Sequence, residues 1–307
     1  MRSRNAILAI SPDHVDERDF RRIATRAREL APDIRAYVAV AGRRNRTARL
    51  VQLLRPTLLV EIEPVANLWQ LRGRKLACAA RPKLESLALL RAAGLPVPRF
   101  AELTPGLKLD PAEWGPYVVV KPSRGWRGAL VRIQRTARLR YKAPEDYPED
   151  QRRMLPMLVQ RFVYTGRWPV SYRVLSFLGE PLHAFRYEAS HDTRPLEGPE
   201  AFTDGISIVA SNKRATVSLA PEADLLALAR RIHAVLPDKP MLGIDLVRDA
   251  ITGELFIAEV NERHCWTLSS ESGRDMQRQF GLDFYAQYDA IERAAEALVR
   301  RTREWGR

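Results

Sequence analysis

The 307-residue sequence holds only two cysteines, Cys78 and Cys265, and no apolar run close to the length that crosses a bilayer. The first shortage excludes a disulfide framework and makes a reducing cytoplasm the expected compartment. The second leaves no candidate for a transmembrane helix, which takes roughly 20 apolar residues, and no membrane partner is expected. The first apolar run, AILAI, stops at Pro12 and Asp13. That is too short for the apolar core of a secretory signal, and it reads as a first β-strand. No GxGxxG follows that strand, and GxxxxGKS/T occurs nowhere, which removes the dinucleotide fingerprint and the P-loop. Internal repeats and low-complexity segments are missing too.

What the sequence has in excess is positive charge: 50 Lys and Arg against 37 Asp and Glu, a net +13 carried mostly by arginine. Such a balance favours an acidic partner, whether nucleotide, nucleic acid or acidic peptide. The arginines are scattered, as in AGRRNRTARL and RIQRTARLRYK, with few aromatics between them, so nucleic acid is not expected as the main partner. Apolar residues make up 46% and charged residues 28%, a globular profile. The length suits two or three small domains.

The first 65 residues alternate between strand and helix patterns. AILAI, IRAYVAV and TLLVEI read as strands. DERDFRRIATRAREL places Phe20, Ile23 and Leu30 at near-helical spacing behind Asp13 or Asp16 as N-cap, and RNRTARLVQLL is a second helix, ended by Pro56. This order predicts a small parallel α/β domain. RPKLESLALLRAAGLPVP follows as a helix, with Pro82 in its first turn, Leu84, Leu87 and Leu90 on one face and Gly94 just past its end. Then come strands: YVVVKP, MLVQRFV, SYRVLSF and PLHAFRYEAS around an LGEP turn, and ISIVAS. PEADLLALARRIHAVL is an amphipathic helix. GIDLV and FIAEVN form a strand pair, and DFYAQYDAIERAAEALVRRTREW closes the chain as a helix.

Two stretches carry chemistry. YVVVKPSRGWRG runs from a buried-type strand through Lys121 into a turn with Gly125 and Gly128. Glycines let backbone N–H groups approach a phosphate, and an ammonium adds charge; a plain hairpin turn fits the same residues. In GIDLVRDAITGELFIAEVN, Glu259 and Asn261 lie two apart and so point to one face. Strand pairing would bring Asp245 within reach of both. Two carboxylates and an amide are hard oxygen ligands suited to Mg²⁺, and the apolar flanks make unpaired charges there costly.

With Lys121 first and Asp245, Glu259 and Asn261 last, the chain resembles the ATP-grasp superfamily, and within it carboxylate–amine ligases of the ribosomal-protein glutamate ligase and glutathione synthetase type. The resemblance spans nearly the whole chain. It rests on the entry helix RPKLESLALLRAAGLPVP, the lysine strand and glycine loop VVVKPSRGWRG, the linker LVQRFV, the strand pair SYRVLSFLGEPLHAFRYEA, the segment ASNKRA and GIDLVRD…FIAEVN. It implies an α/β ATP-grasp fold in which a small parallel α/β domain (1–78) precedes two α+β lobes, 79–159 and 160–307, that clamp ATP. Lys121 and Lys83 would hold ATP phosphates, with Ser123, Gly125 and Gly128 in the loop over them. Gln160, Arg161, Phe162 and Val163 would border the adenine. Asp245, Glu259 and Asn261 would ligate one or two Mg²⁺ ions, with Mn²⁺ as a substitute. Arg173 and Arg186 would face the phosphates or an acyl phosphate, and Asn212 would sit beside the metal.

The implied reaction is amide or peptide bond formation. A substrate carboxylate takes the γ-phosphoryl group of ATP to give an acyl phosphate and ADP, and an amine then displaces phosphate. Small-molecule or peptide carboxylates and amines would be the substrates, and a homodimer stays open. Four features depart from the family pattern. Arg161 replaces a usual acidic residue, Ser171 stands where a ribose-binding carboxylate is expected, the glycine loop is short, and ERHCW replaces the usual residues after Asn261. Phosphotransfer to another acceptor and a non-catalytic basic ATP- or nucleic-acid-binding protein are the alternatives. Cys265 and His264 read as structural or substrate-contacting residues, His233 as structural, Trp126 as a lid contact, and Trp266 as a wall of the acceptor pocket.

Overall fold

The computed structural model describes residues 3–13, 15–43, 45–64, 72–125, 128–189 and 215–305. The expected strand ISIVAS, Asn212 of the segment ASNKRA, and Trp126 lie outside the described residues. Among the described residues there are three sheets.

The first sheet is parallel. It contains β1 (Arg4–Ile10), β2 (Ile34–Val40), β3 (Thr57–Glu61) and β4 (Arg74–Leu76) in the order β2-β1-β3-β4, with helices α1 (Glu17–Leu30) and α2 (Arg46–Leu54) as crossovers. β1 is apolar along nearly its whole length because both its faces are covered. The carboxylate of Asp16 caps α1 by accepting from the Arg18 amide at 2.9 Å. Phe20, Ile23, Ala24 and Ala27 then form the buried stripe.

The second sheet is small and antiparallel. Helix α3 (Lys83–Ala92) leads to β5 (Phe100–Glu102), α4 (Pro111–Trp114), β6 (Tyr117–Pro122), β7 (Arg132–Arg135), α5 (Glu149–Arg152) and β8 (Met157–Arg161), with strand order β5-β8-β6-β7. α3 ends at Gly94, whose φ of 70° lets the Leu95 amide turn back to the Leu90 carbonyl at 3.1 Å.

The third sheet is the centre of the molecule. β9 (Val170–Phe177), β10 (Glu180–Ala189), β11 (Ala215–Leu219), β12 (Met241–Arg248) and β13 (Leu255–Asn261) are antiparallel in the order β11-β10-β9-β12-β13. α6 (Ala223–Val235), α7 (Glu271–Phe280) and α8 (Ala290–Trp305) complete the fold. Leu178 and Gly179 link β9 to β10 with φ of 49° and 91°, the two positive values that match a tight hairpin to strand twist. Val174, Ala184, Leu242, Ile244 and Ile257 on one face pack in a core with α6 and Leu90 of α3. Leu175, Phe177 and Phe185 on the other face share a core with β1, α1 and α8.

Trp266 joins the two ends of the chain. It is 1% exposed, packs on Phe20 and Phe177 at ring distances of 4.6 and 5.9 Å, and donates its indole N–H to Asp19 at 2.8 Å. It is therefore a core residue rather than a wall of an acceptor pocket. The closing helix also differs from expectation. Asp283 accepts from the amides of Tyr285 and Ala286 at 2.9 and 3.0 Å, a turn that competes with helix. Asp289 has φ 53°, and the helix begins only at Ala290.

Candidate active site

The register of the central sheet builds the site. Arg173 of β9 lies opposite Asp245 of β12, and Asp245 lies opposite Glu259 of β13. Directly opposed residues share a face, so the three form one row. Asn261 extends it, paired with Gly243. Arg173 grips Asp245 with both prongs of its guanidinium, Nε to Oδ1 at 2.6 Å and a terminal nitrogen to Oδ2 at 2.7 Å. Burial opposes the charge on Arg173, and Asp245 more than restores it, raising the guanidinium above its ordinary value. The Asn261 amide donates to Asp245 Oδ2 at 3.0 Å and to the Gly243 carbonyl at 3.3 Å, an orientation fixed by that network.

Gly243 is needed where it stands. A Cβ there would lie 3.1 Å from Cys265 Sγ and 3.6 Å from the Asn261 Cβ. Next to Asp245 the pairing slips: Asp245 faces Glu259 while Leu246 faces Ile257, leaving Ala258 as the bulged residue. Its carbonyl accepts from Lys121 Nζ at 2.8 Å. The bulge is thus what turns a β13 backbone oxygen toward the small lobe.

Lys121 is 5% exposed. Burial lowers its ammonium to about 8, Glu259 and Asp245 work against that shift, and Lys83 adds to it. Lys83, at the start of α3, donates to the Gly125 carbonyl at 2.8 Å and stands 3.4 Å from Glu259 Oε1. Buried Ser123 anchors the glycine loop, its carbonyl accepting from the Lys83 amide at 2.9 Å and its amide donating to Pro156 at 2.8 Å. Gly128 has φ 70°, a conformation suited to glycine. Two cations of the first lobe therefore converge on the acidic row of the central sheet.

The remaining candidates divide. Gln160 pairs with Val119, which places it on the Lys121 face of the small sheet. It is 4% exposed and its Nε2 is a buried donor with no partner, a group a ligand's acceptor would satisfy. Phe162 packs beside Tyr117, Ile133 and Val119 as an apolar floor on that face. Arg161 pairs with Val118 and so points to the opposite face, and its amide is taken by the Arg99 carbonyl at 2.7 Å. The Phe162 amide donates to Tyr117 at 3.3 Å. Val163 is half-buried beyond the strand. Ser171 lies two residues before Arg173 on its face, opposite Tyr187.

Arg186 is a correction. It pairs with Tyr172, not with Arg173, so it projects from the other face of the sheet, where it binds Glu188 at 2.7 Å. Strand alternation, which an isolated sequence segment cannot register against its neighbours, removes it from the row.

Three residues after Asn261 belong to the segment ERHCW that departs from the family pattern. Glu262, with its side chain 1% exposed, is held by Lys239 at 3.0 Å, Ser86 at 2.9 Å and Arg81 at 3.3 Å. It locks the end of β13 to α3 and to the loop before β12. His264 faces Glu63. Cys265 is buried, its thiol pushed up by that burial, and it donates to the carbonyls of Asn261 and Arg263 at 3.1 and 3.0 Å. A thiol so held is a packing group and not a nucleophile. Their one sequence signal was position, directly after the metal-ligand motif.

His233 accords with its structural reading. It is fully buried between Ser176 Oγ at 2.8 Å and the Lys239 carbonyl at 2.9 Å.

Among solved structures, the chain is similar to the D-cycloserine synthetase DcsG, with 18% identity, 97% of this chain and 99% of that one covered, and a TM-score of 0.53. It is equally similar to the ATP-grasp ligase PsnB bound to a phosphomimetic variant of its minimal precursor, Mg and ADP, with 16% identity, coverage of 98% and 100%, and a TM-score of 0.53. The chain has the ATP-grasp fold. PsnB with its precursor peptide PsnA2 and AMPPNP matches at 17% identity and TM-score 0.53. No protein-family model and no curated protein matches the sequence. Lys83 and Lys121 meet the β13 part of the row Arg173–Asp245–Glu259–Asn261, through Glu259 and the Ala258 carbonyl. Among the described residues, no helix is long and apolar enough to cross a membrane.

Proposed function

We propose that this protein is an ATP-dependent carboxylate–amine ligase that forms an amide or peptide bond and releases ADP and phosphate. One observation carries the reading. Two carboxylates and an amide share a strand row, and two lysines from another lobe reach toward it. Lys83 and Lys121 would hold ATP phosphates; Gln160 and the Phe162 floor would receive the base. Arg173 would stabilise negative charge that develops on the transferred phosphoryl group and then on the acyl phosphate. The fold similarity to DcsG and PsnB supports ATP use.

The donor set fits Mg²⁺. Asp245, Glu259 and Asn261 offer hard oxygens on rigid strands, and a carboxylate has lone pairs to spare beyond those Arg173 occupies. Bound there, Mg²⁺ would supply charge neutralisation for ATP phosphates. Among the described residues, no cluster of three His, Cys, Asp or Glu side chains offers another metal site. The substrates are a carboxylate and an amine, each a small molecule or a peptide. The test is ADP release in the presence of ATP, Mg²⁺ and pairs drawn from the common amino acids. ADP formation that requires both partners supports a ligase. ADP formation that needs no amine favours phosphotransfer to another acceptor.

A further inference from the structure

Outside the charged row, one buried carboxylate has no assigned work. Glu63 follows β3 at the carboxyl edge of the parallel sheet, the edge where open α/β sheets bind ligands. Its side chain is 1% exposed. Burial pushes its carboxyl up to about 7, Arg263 opposes that rise and Glu61 adds to it. His264 Nδ1 stands 2.6 Å from Glu63 Oε2, an ion-pair distance, and Oε2 is itself buried. The imidazole is 47% exposed, three residues beyond Asn261.

The backbone of His264 has φ 51°, in the left-handed region that histidine enters more readily than most side chains. The other groups on this spot are Glu61, which accepts from the Cys78 amide at 2.9 Å, Arg263, and the Cys78 thiol, pushed up to about 12 by burial and by Glu63 and Glu61. Among the described residues named here, two carboxylates stand against one permanent cation, Arg263, on a chain whose net charge is +13.

We propose that Glu63 and His264 form the acceptor subsite, receiving the substrate's ammonium group and taking its proton. This rests on the ligase reading. The ammonium gives one proton to His264, and Glu63 balances the imidazolium charge. The freed lone pair forms the C–N bond. The bond from the acyl carbon to the phosphate oxygen breaks, its electron pair leaving with phosphate, and the second N–H proton passes to the departing phosphate. A histidine ordered by a carboxylate suits this task near neutral pH.

The experiment uses the full-length enzyme with ATP, Mg²⁺ and the common amino acids as carboxylate donors, in two arms. One arm offers the amino acids as amine acceptors. The other offers hydroxylamine, which is already neutral at pH 7. His264→Asn is the main variant, because Asn tolerates the left-handed backbone; Glu63→Gln is the second, with thermal unfolding as the fold check. Amide formation should fall about 100-fold at pH 7, through kcat more than KM, and recover as pH rises, while hydroxamate formation stays at the wild-type rate. Equal loss with both acceptors in a folded variant overturns the proton-transfer role. No loss with either overturns the subsite and leaves the ligase reading standing. Wild-type enzyme that yields neither product sinks the ligase reading and this inference together.

Discussion

At the scale of single residues, the site is a set of charges that restrain one another. Glu259 meets Lys83 at 3.4 Å, whereas both oxygens of Asp245 are held by the Arg173 fork. Glu259→Gln should therefore leave the fold intact and lower ADP formation by about 100-fold, the scale of losing one charge-stabilising group. Circular dichroism and turnover measured together check this, and wild-type turnover in a folded variant would refute the metal assignment. Arg173→Ala should do two things. It leaves Asp245 without its fork, costing about 1–3 kcal/mol of stability, and it abolishes ADP formation. Arg186→Ala, on the opposite face, should leave ADP formation near wild type, and a large loss there would contradict the strand register. Glu259 and Asn261 were legible in the sequence because i, i+2 spacing fixes a shared face within one strand; Asp245 rested on an assumed strand pairing, and Arg173 on the family resemblance. Arg186 was not legible, because cross-strand pairing decides which face each strand presents.

Buried histidines give the residue scale a pH dependence. Burial lowers His233 to about 4 and His183 to about 3. Below about 6.5 the unfolded chain binds the proton first, so their contribution is complete above that pH and declines as pH falls toward 4. Glu63, raised to about 7, has the opposite slope, destabilising as pH rises from its unfolded value. Comparing variants separates the two. The stability difference between wild type and His233→Gln should shrink by about 1.4 kcal/mol per pH unit between 6.5 and 4.5. Urea unfolding at several pH values reads this, and a constant difference would mean that His233 titrates normally in the fold.

At the scale of elements, the end of β13 is the part with least freedom. Gly243 leaves room for Cys265, Ala258 bulges toward Lys121, and Glu262 ties the strand to α3 and the β12 entry. Gly243→Ala places a methyl 3.1 Å from Cys265 Sγ, so either Cys265 or the strand end must move. A loss of about 1–3 kcal/mol is expected from overpacking, with activity falling further because Asn261 shares the space. Adding Cys265→Ala should restore part of both, a coupling that a double-mutant cycle resolves; additive losses would place the strain elsewhere. Most elements were readable: apolar runs gave β1, β2, β3, β6, β8, β9, β10, β12 and β13, though β4, β5 and β11 went unread, and Pro82, Gly94 and Asp16 bounded helices. α7 was not, since Met276 is its one buried large apolar residue. Its signals were the Ser270 cap, which accepts from the Gly273 amide at 3.2 Å, and Gly281 at φ 63°. The bulge at Ala258 had no signal, because a strand of five apolar residues, one glutamate and one asparagine reads the same with or without it.

At the scale of the whole molecule, the fold brings segments some 180 residues apart in sequence to one cleft: Lys83 from the α3 start and Glu259 from the edge strand of the central sheet. Trp266 and α1 hold the first domain to the central sheet in one core. Among the described residues, the small sheet and its flanks are tied to that body by Lys121 on the Ala258 carbonyl and the Ile257 amide on the Pro96 carbonyl, each at 2.8 Å, among other contacts. A ligand that bridges the cleft should then stabilise the whole chain, and a ligand of the basic surface should not. ATP with Mg²⁺ at 100 times its dissociation constant adds about 2.7 kcal/mol, which raises the Tm of a chain this size by roughly 4 °C. Lys83→Ala and Lys121→Ala should each remove most of that shift, while Arg186→Ala keeps it. A polyanion such as heparin should give a smaller shift that disappears with salt, as screening of exposed charges requires. If ATP with Mg²⁺ gives no shift at millimolar concentration while heparin does, the positive charge serves a polyanion and the cleft is not a nucleotide site. If Lys83→Ala and Lys121→Ala keep the full shift, nucleotide binds elsewhere than between the acidic row and the two lysines.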